Sequence, residues 1–237
     1  MKIPLAIFFS TLSLLATNNG SAQDAALIAA EQARGIITGK NGVQWTVSVK
    51  SSDGRTASFR AVSQAGKIWA EVLSPAEAKG RKYIAEAKGS MWFWKPGLSR
   101  PVPVSKRQRL SGDAAIGDIA STSYVDGYKM ESSSDGKVDG EAATIYILKA
   151  NSISDTYREI RYWVTKKGSL GKKAEFYAKS GTLIRTSTME YGNKVNGRPF
   201  LSKMIVKDSS KTINLTFSDV KMGSYSAALF EKKNLGK

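Results

Sequence analysis

The alternation of apolar and polar residues along this chain predicts a protein built mainly from β-strands. Trp45, Val47 and Val49 alternate with polar neighbours, which is the period of two expected of a strand with one buried face. Similar stretches recur at 57–61, 68–72, 83–87, 90–94, 142–149, 157–165, 173–177, 183–191, 200–206 and 213–217, separated by Gly- and Ser-rich turns. Helical segments are predicted only at 25–34 and 226–235, and the small-residue stretch 111–126 is predicted to be a short helix or an irregular lid-like segment.

These segments amount to ten or eleven short strands at the spacing typical of a sandwich or barrel. The sequence contains no repeat, low-complexity tract or linker, so one domain spanning 23–237 is expected. We predict one strongly curved antiparallel sheet, closed or half closed, with helices over its open side. The concave face of such a sheet is too wide for its own side chains to fill, so helices or a ligand must fill it.

The first twenty-two residues have the features of a secretory signal peptide. Lys2 precedes an apolar stretch at 3–16, and the small residues Gly20, Ser21 and Ala22 form a cleavage site. Cleavage is expected after Ala22, which predicts that residues 23–237 function in the periplasm.

Two residue types that dominate site chemistry are absent from the composition. The chain has no Cys and no His, which excludes disulfides, thiol chemistry, Ser-His-Asp hydrolysis and His-bearing zinc sites. We expect no catalytic residue, no metal and no cofactor. An enzyme acting on envelope glycans or lipids through paired carboxylates is a less favoured alternative, and it would draw on Glu71, Glu159, Glu175 and Glu190.

The formal net charge of +16 favours an anionic partner. In the envelope this charge indicates lipid headgroups, a transient contact with an anionic membrane surface, or an acidic protein. The predicted location outside the cytoplasm argues against nucleic acid. Solubility alone is an equally good explanation, because the basic residues are spread along the chain. The dense cluster of Lys106, Arg107 and Arg109, with Arg100 nearby, is the candidate docking site.

Large aromatic side chains are the best indication of a ligand. They are typical of strand cores, but one face of them could also line an apolar groove for acyl chains. The candidate groove or lid residues are Trp45, Trp69, Trp92, Trp94, Ile116, Ile119 and Trp163.

Several motifs, taken in order, resemble outer membrane lipoprotein-sorting proteins of the LolA/LolB-like superfamily. The similarity is carried by 91–96 (MWFWKP), 109–111, 117–122, Tyr128, 138–140, 160–164, 173–177, 197–199, 218–219 and Phe230, so it spans nearly all of 25–235.

This resemblance implies a half-barrel of about eleven antiparallel strands with a helical lid, whose concave face shelters acyl chains. It further implies a monomeric carrier or chaperone that receives lipoprotein or lipid cargo from an inner-membrane exporter and passes it to an outer-membrane acceptor. Arg100, Arg107 and Arg109 are candidates for a lid-locking arginine. The alternative is a non-catalytic accessory module that docks to an envelope lipid transporter through its basic surface.

Overall fold

The computed structural model describes residues 25–86, 90–105, 122–152, 155 and 157–237. One helix, α1 (Ala25–Ala33), precedes the strands, and fifteen strands follow within the described residues. The first six are β1 (Gly42–Ser51), β2 (Thr56–Gln64), β3 (Lys67–Ser74), β4 (Lys82–Glu86), β5 (Met91–Trp94) and β6 (Val102–Pro103). The others are β7 (Tyr128–Val138), β8 (Glu141–Ala150), β9 (Glu159–Thr165), β10 (Gly171–Tyr177), β11 (Leu183–Glu190), β12 (Asn193–Val195), β13 (Arg198–Phe200), β14 (Lys203–Asp208) and β15 (Thr212–Gly223).

Thirteen of these strands form one antiparallel sheet in the order β6-β5-β4-β3-β2-β1-β15-β14-β11-β10-β9-β8-β7, and β12 and β13 form a separate hairpin. The sheet is strongly curved and is not closed into a barrel. The prediction of a mainly β protein with one curved antiparallel sheet is therefore confirmed, although the described sheet has thirteen strands instead of about eleven. Strand β7 was not predicted, because its sequence, YKMESSSDGKV, is polar and the strand is largely exposed at the edge of the sheet.

The predicted helices differ in how closely the structure matches them. The first appears as α1. The C-terminal one is two short 3₁₀ helices, Ala227–Phe230 and Lys232–Asn234. The predicted signal peptide at 1–22 and residues 111–121 of the predicted lid lie outside the described residues.

The two faces of the sheet bury different hydrophobic clusters. We call the face that carries α1 the inner face; its buried residues on β1, β2, β7 to β11, β14 and β15 form one cluster with the helix, and a smaller cluster of Ile36, Ile68, Ala85 and Met91 lies on the same face. The opposite face is the outer face, where Val62, Trp69 and Ile84 pack under Phe230 and Leu235 of the C-terminal segment. The helix and the C-terminal segment therefore cover different faces and different strands.

Candidate functional site

The half of the inner face beneath α1 is filled by side chains. Leu148, Ile160, Tyr162 and Phe176, on β8 to β10, are essentially inaccessible to solvent. Tyr124 packs edge-on against Tyr162, with ring centroids 4.9 Å apart, a geometry favoured by aromatic quadrupoles. This half of the face is a packed core.

A buried ion pair fastens α1 to the chain at residues 122–124. The Arg34 Nη1 atom donates to both Glu31 carboxylate oxygens, at 2.7 and 2.9 Å. The guanidinium also donates to the Thr122 carbonyl at 3.4 Å and lies 3.8 Å from the centre of the Tyr124 ring. The second Glu31 oxygen accepts the Tyr124 backbone N–H at 2.9 Å. The pair therefore holds residues 122–124 against the end of α1.

Burial and pairing act in opposite directions on the pKa values of this pair. Burial raises the pKa of the Glu31 carboxyl, while Arg34 and the Tyr124 N–H oppose the rise. Burial alone would lower the pKa of Arg34, but the adjacent Glu31 carboxylate raises it overall. The guanidinium therefore stays charged, and the carboxylate depends on Arg34 for its ionised form.

The other half of the inner face contains an apolar groove. Register places Val47, Phe59 and Val72 side by side on β1, β2 and β3, and residues opposite one another on antiparallel strands point to the same side. Phe59 is only partly buried. With Val49, Ala57 and Tyr83, the residues Phe59 and Val72 line a groove of about 350 Å³. This volume lies within the usual range for small-molecule sites, about 300–1,000 Å³.

Charged residues occur at one end of this groove. Arg55, Arg81 and Lys211 line it together with the single carboxylate of Glu77. Arg55 is paired with Asp53 at 2.8 Å, and Arg81 donates to the Glu77 backbone carbonyl at 3.2 Å. The groove thus combines an apolar floor with a mainly cationic end.

A second cavity, of about 570 Å³, opens at the opposite end of the sheet between α1 and the β12–β13 hairpin. Its lining mixes apolar residues such as Ile37 and Val195 with Gln32, Asn41 and Asn196. The groove on β1 to β4 is the better match to a lipid, because its apolar residues form a continuous floor.

The predicted aromatic residues are divided between the two faces. Trp45 lies on the inner face, fully buried, with its ring 5.5 Å from that of Phe200. Trp69, Trp92 and Trp94 lie together on the outer face beneath the C-terminal segment. The structure therefore places these three on the side of the sheet opposite the groove.

Trp163 is also separate from the groove. The preceding residue, Tyr162, points into the inner core, so Trp163 points outward, where the Lys173 Nζ atom lies 4.4 Å from its ring centre. Arg100 is exposed, in the irregular segment between β5 and β6. Ile116, Ile119, Lys106, Arg107 and Arg109 lie outside the described residues, and their roles remain predictions.

The carboxylates considered for catalysis all take part in ion pairs. Glu71 pairs with Arg60, Glu175 with Lys173, Glu190 with Lys203, and Glu159 with Lys149 and Arg161, at distances of 2.6–3.3 Å. Although burial alone would raise the pKa of Glu159, hydrogen bonds from Lys149 and Arg161 lower it. A general acid requires the opposite shift. Among the described residues, no group of three or more acidic side chains is arranged to hold a metal ion.

Sequence reasoning missed two features of this site. Glu31 lies in the Ala-rich helix α1 and Arg34 directly follows it, a spacing at which charged residues normally face solvent. The three cations of the groove lie far apart in sequence and belong to no motif.

None of the helices in the described part of the chain is long and apolar enough to cross a membrane.

Comparisons with known proteins agree with this architecture. A family model with the description "Uncharacterized protein" matches residues 65–237. No curated protein matches the sequence. A LolA superfamily protein from Nitrosomonas europaea is 26% identical, with a TM-score of 0.73, over 87% of this chain and 97% of that one.

Two further solved structures share the fold. An outer membrane lipoprotein-sorting protein domain from Vibrio parahaemolyticus has a TM-score of 0.73 at 19% identity, over 89% of this chain and 98% of that one. A DUF1329 family protein from Desulfovibrio piger has a TM-score of 0.71 at 20% identity, again over 89% and 98%. The chain belongs to the family of the matching model, and its open curved sheet has the fold of the LolA superfamily.

Proposed function

We propose that this protein is a periplasmic carrier or chaperone that binds lipoprotein acyl chains, or the chains of another lipid, and carries them toward the outer membrane. The observation that supports this function best is the apolar groove on the inner face of β1 to β4. Its floor is lined by Val49, Phe59 and Val72, of which Phe59 is only partly buried, whereas the inner face beneath α1 is already filled. The lipoprotein-sorting relatives support the same class of function.

The energetics of such a site require no catalytic group. Burying an acyl chain contributes about 0.8 kcal/mol per methylene, so ten buried methylenes would contribute about 8 kcal/mol, the free energy of a micromolar complex. Loading from an inner-membrane exporter and delivery to an outer-membrane acceptor complete the proposed cycle. The protein would act as a monomer, since one chain contains the whole groove.

The test is to fill the groove with a side chain. Ala57 lines the groove, so Ala57→Trp should occupy the space that a lipid needs. The matched control is Ala142→Trp, because Ala142 is an exposed residue of β8. Binding of the uncharged apolar probe N-phenyl-1-naphthylamine is measured by its fluorescence, and thermal unfolding checks that both variants are folded.

We expect Ala142→Trp to bind the probe as the wild type does and Ala57→Trp to bind it at least about tenfold more weakly. Displacing only two methylenes from the groove would already account for that loss, at about 1.6 kcal/mol. Equal binding by both variants, or no binding by the wild type, would contradict the proposal. The alternative of a docking module depends on Lys106, Arg107 and Arg109, which lie outside the described residues.

A further inference from the structure

The cationic end of the groove consists of residues from three loops between strands, and these loops lie at the same end of the strands. β1 ends at Ser51 opposite Ile213 at the start of β15, which brings Lys211 beside the β1–β2 turn. Ser58, near the start of β2, pairs with Ser74, at the end of β3, so the β3–β4 connection lies at the same end of the strands. Arg55, Arg81 and Lys211 each come from a different one of these connections, and all three line the same groove.

Arg81 is directed toward the apolar floor by its position in the sheet. The Val72 backbone N–H donates to the Arg81 carbonyl at 2.8 Å, which places Arg81 opposite Val72, next to the row of Val47 and Phe59. Its neighbour Lys82 pairs with Trp94 and donates to the Lys237 carbonyl, on the outer face. Arg81, just before β4, and Lys82, its first residue, therefore point to opposite faces of the sheet.

The charges at this end do not cancel one another. Arg55 is paired with Asp53, but neither Arg81 nor Lys211 forms an ion pair with another of the described residues. Glu77 contributes one negative charge to the lining. Three cations against the two carboxylates of Asp53 and Glu77 leave the end of an apolar groove with a net positive charge, which suits a ligand that has hydrocarbon at one end and an anion at the other.

We propose that this end of the groove binds the phosphate headgroup of an anionic lipid whose acyl chains lie along the apolar floor; this inference rests on the proposed function. A guanidinium donates paired hydrogen bonds to phosphate oxygens, and Lys211 adds a second positive charge from the far side of the groove. The assignment is to a lipid headgroup and not to free phosphate, because the cations border the apolar floor of Phe59, Val72 and Tyr83.

The test compares two lipids with identical acyl chains, dioctanoyl phosphatidic acid and dioctanoylglycerol, by displacement of N-phenyl-1-naphthylamine. The wild type should bind the phosphate-bearing lipid at least about tenfold more tightly, the effect of one hydrogen bond to a charged group. Arg81→Gln should lose most of that preference. Lys82→Gln removes the same charge from the adjacent residue on the outer face and should keep the preference. Lys211→Gln, in a separate connection, should act like Arg81→Gln.

The outcomes separate the two proposals. If neither lipid displaces the probe, the proposed function itself fails. If the wild type binds both lipids equally, the headgroup inference is overturned and the carrier function stands. Equal loss of preference in Arg81→Gln and Lys82→Gln would attribute it to net charge and would also overturn the inference. Inorganic phosphate at the same concentration should not displace the lipid, and displacement would rule out the headgroup assignment.

Discussion

The buried Glu31–Arg34 pair makes a quantitative prediction about stability. The two side chains are 0% and 1% exposed, and the closest atoms are 2.7 Å apart. At an effective dielectric constant of about 20, the attraction across that distance is about 6 kcal/mol. Desolvation offsets much of it, and removing one partner of a buried pair typically costs about 3–5 kcal/mol.

The two possible single variants should behave differently with pH. In Glu31→Gln the guanidinium remains buried and charged at every accessible pH, so the loss of about 3–5 kcal/mol should persist from pH 5 to pH 7. In Arg34→Met the remaining carboxyl is able to take up a proton, because burial raises the pKa of Glu31 and the opposing guanidinium is gone. Its penalty should therefore depend on pH.

The sign of that dependence follows from the raised pKa of Glu31. A carboxyl whose folded-state pKa lies above its unfolded value of about 4.3 favours folding most below that value and loses this contribution as the pH rises toward the folded-state pKa. Keeping Glu31 protonated would cost up to about 3.7 kcal/mol at pH 7 and about 1 kcal/mol at pH 5, at 1.36 kcal/mol per pH unit.

The assay is urea unfolding followed by tryptophan fluorescence at pH 5 and pH 7. The reference is the double variant Glu31→Gln/Arg34→Met, which has neither charge and isolates the ionisation of Glu31. Arg34→Met should be less stable than this reference at pH 7, by a difference that shrinks at pH 5. A difference that is constant with pH, or a double variant less stable than both single variants, would refute the reasoning.

Two other substitutions test the packing on each face. Leu235→Ala, at a residue 1% exposed in the outer-face cluster, should lower the free energy of unfolding by about 2–4 kcal/mol and leave probe binding unchanged; a weakened affinity would mean that the two faces are coupled. Gly171→Ala should destabilise the fold, because a Cβ atom there would overlap the buried Tyr162 hydroxyl, whereas Gly127→Ala should be neutral since nothing lies within 4 Å of that position. Both glycine variants are compared by thermal unfolding, and equal melting temperatures would show that the inner core adjusts to the added methyl group.

The fold was largely predictable from local patterns, because apolar and polar residues alternate along a strand that has one buried face. Trp45, Val47 and Val49 alternate in the sequence and all lie in the inner cluster. The Trp92 strand could not be assigned to a face in this way, since both of its faces are apolar. Its covering residues, Phe230 and Leu235, come from the far end of the chain, and only the tertiary structure brings them over it.

The candidate site was less predictable, because its residues follow no sequence period. Arg55, Arg81 and Lys211 meet only through the pairing of distant strands. Glu31, in a short helix, and Arg34, directly after it, give no sign in the sequence that both will be buried. The tryptophans chosen from the large aromatic residues pack on both faces of the sheet and none of them lines the groove, whereas Phe59 does.

The claim that this chain carries lipid is tested most directly by native mass spectrometry. The protein would be produced with its own N-terminal segment, released from the periplasm by osmotic shock and purified without detergent. We expect adducts that dissociate as lipid or lipopeptide and that are depleted in Ala57→Trp but retained in Ala142→Trp. A mass equal to that of the polypeptide alone, for a wild-type protein that also fails to bind N-phenyl-1-naphthylamine, would contradict the proposal.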